Sequence, residues 1–193
     1  MSWRSTRSCT MLLATIFLLV APLAWAFADP DVDSGQSGAD YVKEVQFLFS
    51  FAKFVQWPSR KFTQPDSPLV IGIVGTDPSF GDLLSEATAD KRIFDHTVIV
   101  RRVEDVGEWR KCHILFVSRS AAGRLASILS AVHNDNVLTV GESDKFISKG
   151  GIINFVMVGD QLKFQISDSA ARHANLKIDS RLLALRVLSG QSP

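Results

Sequence analysis

Cysteine is nearly absent from this chain of 193 residues: only Cys9 and Cys112 occur, and Cys9 falls in an N-terminal segment expected to be removed. A single remaining thiol excludes an intrachain disulfide, so stability has to come from packing, and Cys112 ahead of an apolar run reads as a small core residue. Blocks of one charge are also missing. The 21 Lys+Arg are balanced by 20 Asp+Glu and scattered, which gives no electrostatic reason to expect a nucleic-acid partner.

The motifs of catalysis and cofactor binding are absent as well. His96, His113, His133 and His173 show no H-x-x-H or H-E-x-x-H spacing, and Cys112-His113 is the only adjacent pair of soft ligands. Neighbours on a strand point to opposite faces, so that pair does not chelate one metal, and neither a metal nor a cofactor is assigned. Gly72-Ile73-Val74-Gly75 lacks the G-x-G-x-x-G spacing, no P-loop lysine follows it, and no G-x-S-x-G elbow is present. Glu104, Asp105, Glu108, Glu142 and Asp144 are each explained by a solvated face or a helix cap. No catalytic residue is nominated, because nothing in the sequence selects one carboxylate pair over another.

What is present begins at the N-terminus. Arg4 and Arg7 precede a short apolar run, Met11 to Ala21, broken by Pro22, and Ala24-Trp25-Ala26 or Ala26-Phe27-Ala28 offers small-x-small cleavage. Residues 1–28 therefore read as a secretory signal peptide, and the mature protein is expected to be exported and soluble. Residues 29–38 are rich in Asp, Ser and Gly and read as a flexible lead-in. Residues 39–190 then suffice for one domain with a sizeable core.

Asp40 is a cap candidate for a helix from Tyr41, with Val45, Leu48, Ala52 and Val55 on one stripe and several Phe widening it; Pro58 ends it by Trp57. A β-branched run, Leu69 to Val74, leads through Gly75, Thr76 and Asp77 into a second helix starting near Pro78. Further strands are expected at Thr97–Val103, Ile114–Val117 and Val137–Val140, with a helix over Ala121–Val132. Past a helix ending near Lys149 and the Gly150-Gly151 turn, Ile152–Val158 and Gln161–Ile166 flank Gly159-Asp160 as a hairpin. Two helices capped by Asp168 and Asp179 close the chain, over Asp168–His173 and Asp179–Leu188. The alternation predicts an α/β fold: a single domain with a mixed, mostly parallel sheet, helices on both faces and a C-terminal β-hairpin.

Two sets of candidate contacts follow. Phe54, Trp57, Pro58, Trp109, Gly150 and Gly151 combine apolar or aromatic surface with bare backbone and suit a protein partner. Gly75, Thr76 and Asp77 stand at the carboxyl end of a strand and suit a small ligand; Gly75 is also simply turn geometry. An exported sensor of small molecules, or an enzyme acting at those strand ends, is the alternative to a partner-binding module.

Several segments taken together resemble one family. Val42-Lys43, Phe54-Val55-Gln56-Trp57-Pro58, Leu69 to Gly75, Cys112-His113-Ile114-Leu115-Phe116-Val117-Ser118, Val137-Leu138-Thr139-Val140, Phe146 with Gly150-Gly151-Ile152-Ile153, and Ser180-Arg181-Leu182-Leu183 fall in the order and spacing of the YfiR-like periplasmic proteins. The resemblance covers Tyr41 to Leu188. It implies a non-enzymatic, homodimeric periplasmic repressor that binds the periplasmic part of an inner-membrane diguanylate cyclase or sensor kinase, lowering cyclic di-GMP and biofilm formation. The chain departs from the family in its lone Cys112, where some relatives carry disulfides, and in Ser167, where relatives often have Asn.

Overall fold

The computed structural model describes residues 38–75 and 78–187. The expected signal peptide, the lead-in up to residue 37, Thr76, Asp77 and residues 188–193 lie outside the described residues. Helix α1 (Gly38–Phe54) buries Val45, Leu48 and Ala52 of the expected stripe together with Phe51, while Val55, the last residue of that stripe, is buried just past the helix end. It starts two residues before Asp40, which therefore sits in the first turn rather than at the cap. The chain turns extended at β1 (Val55–Gln56), ahead of Pro58.

The sheet is built from β2 (Leu69–Val74), β3 (Arg92–Ile93), β4 (His96–Arg102), β5 (Ile114–Val117), β6 (Leu138–Gly141), β7 (Ile153–Val158) and β8 (Gln161–Ile166), in the order β3-β4-β2-β5-β6-β7-β8. The four central pairings, from β4-β2 to β6-β7, are parallel, and both outermost pairings are antiparallel. Alternation along the strands sends successive side chains to opposite faces. Ile114 and Phe116 of β5 join one buried cluster with Ile71, Leu138 and Phe51; Leu115 and Val117 join a second with Trp109, Leu125 and Leu129. Helices α1 and α2 (Pro78–Thr88) cover the first face, and α4 (Leu125–Val132) covers the second, following the short α3 (Val106–Trp109). The mixed α/β sheet with helices on both faces and a hairpin after Gly151 is the architecture expected from the sequence.

Several local expectations are corrected. The helix expected over Ala121–Val132 is a 3-10 turn, Arg119–Arg124, followed by α4; Gly123, a poor helix former, lies in the part that is not α-helical. No helix runs up to Lys149: residues 144–150 are consecutive turns. Helix α5 (Asp168–His173) is capped by Ser167, whose hydroxyl accepts from Ala170 N at 3.2 Å, while Asp168 pairs with Arg172 inside the first turn. Asp179 does cap α6 (Ser180–Leu185), which ends short of Leu188. Strand β9 (Lys177–Ile178) pairs antiparallel with β1, tying the end of α1 to the closing segment.

Candidate functional site at the amino edge of the sheet

The parallel strands β2, β5 and β6 begin on one edge, where the loops that precede them meet. After β1, Trp57 and Pro58 lead into a 3-10 turn (Ser59–Lys61), closed by Lys61 N donating to Pro58 O at 2.9 Å. The Trp57 indole Nε1 donates to His113 O at 3.2 Å, and its ring meets the imidazole edge-on with centroids 6.2 Å apart. One residue past the turn, the Phe62 ring stacks between two imidazoles, at 4.0 Å from His96 and 4.4 Å from His113.

His113 is the centre of this arrangement. Its Nδ1 accepts from Val70 N at 3.0 Å, which places the proton of the neutral ring on Nε2. Burial, with the positive charge of Lys61 and then His96, pulls its pKa down to about 3, so the ring is neutral at physiological pH. Lys61 reaches across to donate to Arg110 O and Asp135 O, both at 2.8 Å, joining the loops before β5 and β6. Burial lowers its pKa to about 8, opposed by Cys112 and Asp135. Beside this clamp lies a cavity of about 480 Å³ walled by Arg60, Lys61, Arg110, Lys111, His113 and Asp135. Asp135 is held 3.2 Å from Arg110 Nε.

The structure distributes the sequence-nominated residues unevenly. Phe54, Trp57 and Pro58 are half-buried along one stretch of chain; the Arg181 guanidinium lies 5.1 Å from the Phe54 ring centroid, and Phe54 O accepts from Asp179 N at 2.9 Å. Trp109 is only 6% exposed and belongs to the second core cluster. Gly150 is exposed, with φ +95°, and lines a second cavity of about 430 Å³ between α4 and α5, with Leu129, Val132 and Ile152. Gly151 is buried beneath Phe146. At the carboxyl edge, Gly75 has φ +124°, and a β-carbon there would stand 1.9 Å from Ser118 Oγ and 2.6 Å from Ser120 Oγ. Those hydroxyls bond each other at 2.6 Å and fill the space beside the turn, which matches the turn-geometry reading of Gly75. Thr76 and Asp77 lie outside the described residues.

Lys61, Phe62 and His96 were not singled out from the sequence as site residues, and His113 was weighed only as a metal ligand. Arg60-Lys61 and Arg110-Lys111 are dibasic pairs in the loops that precede β2 and β5, and nothing within either loop shows that the two meet. Among the described residues no group of three or more His, Cys, Asp or Glu is placed to hold a metal ion.

The described residues form a parallel-centred α/β domain with helices on both faces of the sheet and the β7-β8 hairpin at its edge. The YfiR/HmsC-like family profile matches residues 41–186, and the chain belongs to that family, whose members are periplasmic regulators. No curated protein matches. Among solved structures, the chain is similar to a conserved domain protein of Vibrio cholerae O1 biovar El Tor strain N16961, with a TM-score of 0.52 and 12% identity over 76% of this chain. The match spans 59% of that structure, and at this identity it supports the fold alone.

Proposed function

We propose that this chain is a periplasmic repressor that binds the periplasmic part of an inner-membrane diguanylate cyclase and holds it inactive, lowering cyclic di-GMP and surface attachment. Family membership over residues 41–186 is the observation that carries this reading. The working form is a homodimer of the mature chain after cleavage of residues 1–28. Repression of this kind needs no chemistry, only tighter binding to one state of the partner than to the other.

The contact surface on this reading centres on Trp57 and Pro58, with Phe54 alongside and Gly150 on a separate turn. Trp57 suits an anchor because its ring is half-buried and oriented by the hydrogen bond to His113 O, so little side-chain freedom remains to be lost on binding. Trp109 and Gly151 are buried, Trp109 within the second core cluster and Gly151 beneath Phe146.

Deleting the gene in a strain that retains the cyclase is expected to raise cyclic di-GMP and attachment, and deleting both genes to return them to the starting level. Unchanged cyclic di-GMP in the single deletion would sink the reading. Complementation with Trp57→Ala, checked for export and folding, separates the proposed surface from the function: it is expected to restore repression poorly.

A further inference from the structure

We propose that the cavity at the amino edge of β2, β5 and β6 is a binding site for a small multivalent anion of phosphate or polycarboxylate chemistry. Its volume, about 480 Å³, lies within the ordinary range of small-molecule pockets. Four of its wall residues, Arg60, Lys61, Arg110 and Lys111, are cationic, and the single carboxylate among them, Asp135, is engaged by Arg110 Nε at 3.2 Å. Arg60 and Lys111 are exposed, and neither forms an ion pair among the described residues. Like charges converging on one concavity repel each other, and a bound anion relieves that repulsion while gaining charge-assisted hydrogen bonds.

A second observation points the same way. His113, 4% exposed, contributes to the wall, and its buried Nε2, which carries the proton once Nδ1 accepts from Val70 N, has no acceptor among the described residues. A buried donor without an acceptor is uncommon in folded proteins and is satisfied by a ligand or by ordered water. The lining is therefore two exposed cationic side chains without ion pairs, Arg60 and Lys111, two more, Lys61 and Arg110, already bonded to the neighbouring loops, and the buried imidazole of His113. Such a set takes an anion with several oxygens and offers little to a neutral or cationic molecule. An occupant would tie together the loops before β2, β5 and β6, the first of which begins at Trp57 and Pro58.

The binding step stands whether or not the cyclase reading does, because it is read on the purified mature protein alone. Pyrophosphate and citrate are titrated separately at low ionic strength, followed by thermal unfolding and calorimetry. Saturable stabilisation that weakens as sodium chloride is added is expected. Stabilisation by both probes, or by one of them, supports the site and assigns its chemistry as general polyanion, phosphoryl or carboxylate. The double variant Arg60→Ala/Lys111→Ala, altered only at exposed positions, is expected to weaken binding at least tenfold, whereas Lys149→Ala, at a residue that does not line the cavity, leaves it unchanged. Absence of stabilisation by either probe, or equal affinity in the double variant, would overturn the proposal.

Discussion

Phe146 occupies the space that a side chain at Gly151 would need: a β-carbon built on Gly151 stands 2.1 Å from the Phe146 ring and 2.8 Å from its carbonyl oxygen. The same ring lies 2.2 Å from where a β-carbon of Gly141 would stand, so it is seated between the end of β6 and the start of the β7 segment. The glycine pair is thus two different requirements side by side. Gly150 needs a left-handed backbone and has open space around it, whereas Gly151 needs to have no side chain.

Those requirements separate in mutants. Gly151→Ala forces the buried Phe146 ring aside and is expected to cost about 2–3 kcal/mol, the range of core overpacking. Gly150→Ala meets nothing and is expected to cost about 1 kcal/mol from its backbone conformation alone. Chemical denaturation of both variants measures the difference; equal losses would show that the Phe146 contact is not what fixes Gly151.

How far the sequence carried depended on whether a signal was local. Ile114–Val117, Gln161–Ile166 and Asp168–His173 were bounded residue for residue, because apolar runs, a Gly-Asp turn and a polar cap mark their ends. The two-residue strands β1, β3 and β9 carry no period of their own and exist only through their pairings. The amino-edge cavity was invisible for a related reason. Its walls come from residues 60–70, 110–113 and 135–136, each unremarkable within its own loop, and only the parallel sheet brings them to one edge.

Trp57 offers a direct test of how the proposed surface is held. Trp57→Phe keeps an aromatic ring but removes the indole donor to His113 O, which then keeps only the bond from Leu138 N at 2.8 Å. A stability loss of about 1 kcal/mol is expected, the ordinary net value of one hydrogen bond. The lost bond also frees the ring, so partner affinity should fall even where folding is intact; pull-down with the partner's periplasmic domain reads the second effect separately.

Cys112 should behave as packing rather than as a reactive thiol. It is 1% exposed, its S–H donates to Glu108 O at 3.3 Å, and it fills the space over Gly72, where a β-carbon would stand 2.5 Å from Sγ. Burial, only partly offset by Lys61, raises its pKa to about 11, which leaves very little thiolate at neutral pH. Native protein is therefore expected to resist iodoacetamide at pH 8 for hours, and protein in denaturant to label fully within minutes. Rapid labelling of the native state would contradict this placement.

His113 sets the last expectation, a loss of stability in acid. Burial first, and then the charges of Lys61 and His96, hold the folded imidazole at about 3, below its ordinary 6.5. Between those values the unfolded chain binds a proton that the folded protein does not, so stability falls as pH drops through 6.5 and goes on falling towards 3. The slope contributed by this one group is up to about 1.4 kcal/mol per pH unit, and above 6.5 it contributes none. His113→Gln retains an acceptor for Val70 N but does not titrate. Both proteins, unfolded by urea at a series of pH values, should give stability curves a constant distance apart above pH 7, with the parent losing ground to the variant below pH 6. Parallel curves across the whole range would mean that the folded ring takes up its proton at the same pH as the unfolded one, and that burial does not hold it neutral.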